Sequence, residues 1–207
     1  MSAQRRVAQH YNRDALTYGD SVEAVNWSSR ENQALRFAQF LPFLPSQEPF
    51  SINDVGCGVG DFLPYLQQAC PQEFRYTGYD LSAEMITLAS RKYDHQPDVS
   101  FQLLSSVGEL GVAEYSIASG TFNRRRRLPG RRHYLRLMYA TLAAMARTSR
   151  VGFGFNFLSD KQKPRGYNGL LYLNPAEVIR QGKKAFGSKC EVLNRYHETD
   201  VTLWWYR

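Results

Sequence analysis

The chain has 207 residues, 43% hydrophobic and 22% charged. That is enough to bury the core of one ordinary α/β domain, and the proportions exclude general disorder and fibrous repeats. Its net charge of +7 has a local origin, because Arg124, Arg125, Arg126, Arg127, Arg131 and Arg132 place six positive charges within nine residues and leave the rest nearly neutral, which argues against a basic surface spread over the whole fold.

In chain order, residues 1–45 read as helical, with apolar residues spaced through Val7 to Leu16 and again from Ala34 to Leu44, before the stop signals Pro42 and Pro45. Phe50 to Val55 reads as a short strand running into Gly56-Cys57-Gly58-Val59-Gly60, with a helix from about Asp61 to Cys70. Strand, glycine turn and helix in that order open a nucleotide-binding βαβ unit. The second strand spans Phe74 to Tyr79 and ends in Asp80, and Ser82 is positioned to cap the next helix. Strands at Val99 to Leu104 and Tyr115 to Ala118 follow, then the arginine cluster and a helix from about Arg132 to Ala146. Alternation of strands with helices points to a parallel sheet.

The run Val151-Gly152-Phe153-Gly154-Phe155-Asn156-Phe157 alternates bulky with small residues, as a central strand does where a neighbouring backbone or a ligand approaches one face. It belongs to the longest apolar stretch, Val151 to Leu158, which is too short to cross a bilayer, and no apolar segment follows Arg5 and Arg6. No membrane partner and a cytoplasmic location are therefore expected. Asn174-Pro175 sets a capped helix start. Cys190 to Tyr196 and Val201 to Tyr206 form two strands whose connection is too short for a crossover helix, so they pair antiparallel. The three cysteines, Cys57, Cys70 and Cys190, are widely spaced without a CxxC pair, which argues against a disulfide framework and against a zinc site.

The chemistry concentrates at the first turn. Glycines at positions 56, 58 and 60 let the backbone turn tightly and let a ligand lie against bare main chain, with the unpaired N–H groups of a helix start beyond. Asp80, 24 residues after Gly56, ends the second strand, where a carboxylate can accept both hydroxyls of a ribose. Asp54, just before the glycines, adds negative charge that opposes a pyrophosphate and favours a ligand carrying an ammonium or sulfonium group. A nicotinamide-dinucleotide enzyme is accordingly disfavoured, since the glycine spacing is GxGxG and not GxGxxG. Ser119 and Gly120 end the fourth strand at the crevice where doubly wound sheets bind ligands.

Asp54-Val55-Gly56-Cys57-Gly58-Val59-Gly60-Asp61 resembles the glycine-rich first motif of class I S-adenosylmethionine-dependent methyltransferases, and Tyr76-Thr77-Gly78-Tyr79-Asp80-Leu81-Ser82 resembles their second. Four further segments, starting at Tyr18, Asn26, Ser119 and Asn156, look like parts of a bacterial branch of that family. The resemblance implies a Rossmann-like, doubly wound, mostly parallel seven-stranded sheet with an antiparallel last strand. It also implies a methyltransferase domain at 46–207 behind an N-terminal helical lid at 1–45, to which Tyr11, Tyr18, Trp27 and Arg30 belong. The implied cofactor is S-adenosylmethionine, with Gly56, Cys57, Gly58 and Gly60 under its methionine part, Asp54 close by, Asp80 on the ribose, and Leu81 and Met85 beside the adenine. Ser105 stands where the family commonly has an acid for the adenine amino group, and the family segment after Phe122-Asn123 is not usually polyarginine.

Methyl transfer from a sulfonium needs alignment and exclusion of water more than catalytic side chains. His133, His197 and Tyr172 are candidates for a base if the acceptor is a hydroxyl. A small-molecule acceptor is expected, an anionic one being one use for the arginine cluster. Two alternatives stand beside it: a nucleic-acid methyltransferase gripping phosphates, which lacks the Pro-Pro motif of base-amine enzymes at Ser119-Gly120-Thr121-Phe122, and a cofactor-binding protein without turnover. The sequence leaves the oligomeric state open.

Overall fold

The computed structural model describes residues 8, 9, 11–13, 16, 17, 30–123, 130–163 and 169–207. Tyr18, Trp27 and the arginines at 124–127 lie outside the described residues. The elements in chain order are α1 (Arg30–Ala38), β1 (Phe50–Val55), α2 (Phe62–Ala69), β2 (Phe74–Asp80), α3 (Ala83–Lys92), β3 (Val99–Leu103), β4 (Ala113–Ala118), α4 (Arg131–Thr148), β5 (Ser149–Ser159), β6 (Tyr172–Leu173), α5 (Pro175–Phe186), β7 (Cys190–Leu193) and β8 (Asp200–Tyr206). They make one sheet in the order β3-β2-β1-β4-β5-β8-β7. All pairs on the β1 side are parallel, and β8 joins antiparallel to both β5 and β7.

An eighth strand adds to the seven read from the sequence. Tyr172 and Leu173 pair in parallel with Leu158 and Ser159 at the far end of β5, beyond the residues that β4 occupies. Two residues carry no periodicity, which is why this strand leaves no sequence signal.

Side-chain alternation sorts the core into two layers. Phe37, Phe40, Ile52, Phe62, Leu66 and Trp204 pack on the face covered by α1, α2 and the end of α3. Val55, Tyr79, Met138, Phe153, Phe155 and Trp205 pack on the face covered by α4 and α5. The small residues of β5 turn out to accommodate a side chain: a Cβ at Gly152 would lie 2.8 Å from the Trp204 ring, and one at Gly154 would lie 2.5 Å from it. Trp204 in turn stacks on Phe43, with centroids 4.7 Å apart.

The helix starts follow their caps. Ser82 accepts from the Met85 N–H at 3.1 Å, and Asn174 accepts from the Glu177 N–H at 3.2 Å ahead of Pro175. Helix α1 is fixed to the opposite end of the chain by an ion pair. Arg36 donates through Nε and Nη2 to the two Asp200 oxygens, at 2.5 and 3.0 Å, and Asp200 is only 2% exposed. Arg36→Met, which keeps much of the apolar stem and drops the charge, is expected to cost about 2 kcal/mol, because the buried carboxylate keeps only part of its compensation. Urea unfolding with an unchanged slope checks it.

Candidate active site

Strand order reverses between β1 and β4, and the crevice outside their carboxyl ends is where a doubly wound sheet can admit a ligand. There the structure encloses a cleft of about 1090 Å³, part of it open to solvent. Its floor is the turn after β1, its sides come from the ends of β2, β3 and β4 and from α4, and Tyr11, Gln33 and Phe37 close it from the N-terminal segment.

The turn is built by backbone geometry. Gly56, Gly58 and Gly60 have φ of 81°, 56° and 81°, the left-handed region that side chains rarely adopt. The N–H groups of Gly56 and Cys57 both donate to the Tyr79 carbonyl, at 2.7 and 3.0 Å, tying the turn to the end of β2. The three glycines serve different neighbours. Gly56 lines the cleft and leaves room for Thr121, whose side chain would lie 2.5 Å from a Cβ there. Gly58 lines the cleft and donates its N–H to Asp80 Oδ2 at 3.0 Å. Gly60 is placed away from the lining: a Cβ there would meet the rings of Phe101 and Tyr93 at 2.9 Å, so its bareness serves packing between α2, α3 and β3.

Three carboxylates face the cleft: Asp54, Asp61 and Asp80. Among the described residues that line it there is no lysine, arginine or histidine. Asp80 is held at both oxygens, by the Gly58 N–H and by the Ser82 N–H at 2.8 Å. Burial raises its pKa, and the N–H groups of Ser82, Gly58 and Leu81 oppose that rise. A carboxylate has about four acceptor sites, so Asp80 keeps acceptor capacity for a further donor. Asp54 is 3% exposed and accepts from the Tyr76 hydroxyl at 2.7 Å. Burial, helped by the charges of Asp80 and Asp61 and opposed by the Tyr76 hydrogen bond, pushes its carboxyl up from 3.8 to about 7. Asp61 accepts from Gln33 Nε2 at 3.1 Å and faces Lys92 Nζ at 3.5 Å, so it joins α1 and α3 across the start of α2.

Of the other residues singled out by sequence, Cys57, Leu81, Met85, Ser119 and Tyr11 line the same cleft. Ser105 does not; it is exposed, and its N–H donates to Glu109 Oε2 at 2.9 Å. The three candidate bases are elsewhere. His133 is exposed on α4, Tyr172 is buried in β6 where its carbonyl accepts from Arg131, and His197 faces buried Asp200 with Nδ1 2.7 Å from Oδ2. His197 is thus part of the Arg36 anchor.

The sequence reading missed the α4 wall, formed by Tyr134, Leu137, Met138 and Thr141, and it missed Leu104, Val107, Phe122 and Gln33. It also missed Asn156, fully buried in β5, whose Oδ1 accepts from the Gly120 N–H at 2.7 Å and whose Nδ2 donates to Ser119 Oγ at 3.2 Å. One amide thereby fixes the end of β4. Its signal was a single amide within the apolar run Val151–Leu158.

Residues 52–124 match the family described as methyltransferase domain. The chain is 33% identical over 159 residues to the Mycobacterium tuberculosis (strain ATCC 25618 / H37Rv) protein named "Putative methyltransferase Rv1506c", a match spanning 75% of this chain and 92% of that one. Magnesium protoporphyrin IX methyltransferase from Synechocystis PCC 6803, solved with bound S-adenosylmethionine, superimposes over 100% of this chain and 98% of its own, with a TM-score of 0.66 and 15% identity. The [4+2]-cyclase SpnF superimposes over 100% and 96%, with a TM-score of 0.71 and 12% identity. At these identities the two structures speak for the fold, and a fold shared with a cyclase does not by itself assign a reaction. The relative at 33% identity, the domain match and the carboxylate-lined crevice agree, and the chain belongs to the class I S-adenosylmethionine-dependent methyltransferases.

Proposed function

We propose that this protein binds S-adenosylmethionine in the cleft at the β1–β4 crevice and methylates an oxygen or nitrogen atom of a small metabolite. The observation that carries the reading is the donor set: three carboxylates without a cation among the described lining residues. Asp61 is partly compensated by Lys92 and Asp54 is charged above pH 7, so the negative charge centres on Asp80 and Asp54, which favours a ligand bearing sulfonium and ammonium and opposes a diphosphate. Asp80, fixed between two N–H groups, would accept the ribose hydroxyls. Gly56, Cys57 and Gly58 would lie under the methionine part, with Asp54 close by, and Leu81 and Met85 would flank the adenine. Ser119, held by Asn156, would line the pocket from β4, and Tyr11 would cover it as part of the N-terminal lid. When bound, S-adenosylmethionine supplies an electrophilic methyl group whose transfer leaves a neutral thioether.

The protein's own contribution is placement and dryness. Phe37, Phe62, Phe122, Leu137 and Met138 give the cleft an apolar lining that keeps water from competing with the acceptor. The candidate bases lie outside the lining, which favours acceptors that are nucleophilic without strong base assistance.

An anionic acceptor would carry its charge at the mouth. Carboxylates line the cleft, whereas the arginine cluster falls in the chain between Phe122 and Tyr134, both lining residues. Arg131 and Arg132 are exposed at the start of α4. Replacing Arg124–Arg127 with serine should leave affinity for S-adenosylhomocysteine within about threefold, since the described lining residues that would hold the cofactor include no arginine, while raising KM for carboxylated or phosphorylated acceptors about tenfold. Calorimetric titration with S-adenosylhomocysteine, followed by a methyl-transfer screen of such acceptors, tests the reading. Absence of binding by the folded protein would overturn it.

A further inference from the structure

We propose that Thr141, on the inner face of α4, recognises the amino group of the cofactor's adenine; this rests on the S-adenosylmethionine reading above. A purine whose ribose is held by Asp80 reaches toward the end of β3, because the Asp80 carbonyl accepts from the Leu104 N–H at 2.7 Å. The wall there is apolar, from Leu104 and Val107. Glu109, the nearby acid, is turned to its own turn: its Oε2 accepts from the N–H groups of Ser105 and Ser106 at 2.9 and 3.1 Å. Adenine's amino donors therefore need another acceptor.

Helix α4 packs against the short turn Val107–Glu109 and supplies two hydroxyls to the cleft, from Tyr134 and Thr141. Tyr134 donates to the Thr121 carbonyl at 3.3 Å, at the end of β4. Thr141 lies two helical turns further along, 6% exposed, and donates to the Leu137 carbonyl at 3.0 Å. With its proton committed to the helix, Thr141 offers only oxygen lone pairs to the cleft. That accepts an N–H and repels a carbonyl, so the pocket reads a 6-amino purine against a 6-oxo purine.

Calorimetry on the full chain tests this with S-adenosylhomocysteine, its 6-oxo (inosyl) analogue and its 6-deamino analogue. The wild type should bind S-adenosylhomocysteine about tenfold or more tightly than either analogue, since leaving a buried polar group such as Thr141 unpaired carries a penalty of that order. Thr141→Val should bring S-adenosylhomocysteine to within about threefold of the 6-deamino analogue, and Thr141→Ser should restore the preference. Equal binding of the three ligands by the wild type, or an intact preference in Thr141→Val, would overturn the assignment and leave the cofactor reading standing. Failure of the wild type to bind S-adenosylhomocysteine at all would remove both.

Discussion

Asp80→Ala should weaken binding of S-adenosylhomocysteine by about a hundredfold, close to 3 kcal/mol, while the protein stays folded. The carboxylate lies at the tip of β2 with its oxygens fixed by Gly58 and Ser82, so no side-chain rearrangement is needed when a diol arrives. Removing it deletes two hydrogen bonds to an ionised acceptor, each stronger than a neutral one. It also frees the Gly58 N–H in the turn that would support the ligand. Stability should change little, because the lost backbone hydrogen bonds are offset by relief of a carboxylate whose pKa burial has raised. Calorimetry alongside thermal unfolding separates these effects. Unchanged affinity in a folded variant would leave the ribose reading without its anchor.

What the sequence conveyed and what it withheld divide along one line. Local signals were legible: the glycine turn, Ser82 as a cap, Asn174-Pro175 as a helix start, and the short connection that makes β7 and β8 antiparallel. Each depends on residues a few positions apart, where backbone stereochemistry decides. Contacts between distant residues were not. Arg36 and Asp200 stand 164 positions apart, and neither is marked as the other's partner. His197 looked available for chemistry because its neighbour Asp200 had no known burial. Gly60 and Gly56 carry the same dihedral, 81°, yet one faces Phe101 and the other faces Thr121. Sequence specifies the turn and leaves open what fills the space beside it. The α4 wall was hidden for a related reason, since helical periodicity shows that Tyr134, Met138 and Thr141 share a face without showing what that face looks upon.

Cofactor affinity should rise with pH through neutrality, and Asp54 is the cause. Its carboxyl titrates at about 7 in the folded protein instead of 3.8, so near pH 6 much of the population presents a neutral acid to the cleft and near pH 8 most presents a carboxylate. A sulfonium or ammonium close to it gains attraction only in the second state. Affinity for S-adenosylmethionine should therefore increase about tenfold from pH 6 to pH 8, and binding near pH 7 should release protons to the buffer. The stability of the ligand-free protein moves the opposite way. Because the folded pKa lies above the unfolded one, the folded state binds more protons between pH 4 and 7, and the contribution of this group is lost as pH rises through 7. The loss amounts to about 4 kcal/mol at most, from a shift of roughly three units at 1.36 kcal/mol each. Asp54→Asn keeps an acceptor for the Tyr76 hydroxyl and removes the titration. It should raise the thermal midpoint of the ligand-free protein at pH 8 and flatten the pH dependence of cofactor binding, with its affinity held near the low-pH value of the wild type. Calorimetry in buffers of different ionisation enthalpy, run from pH 6 to 8 on both proteins, measures affinity and proton release together. A wild-type affinity that stays level across that range would mean that Asp54 does not sense the cofactor's charge.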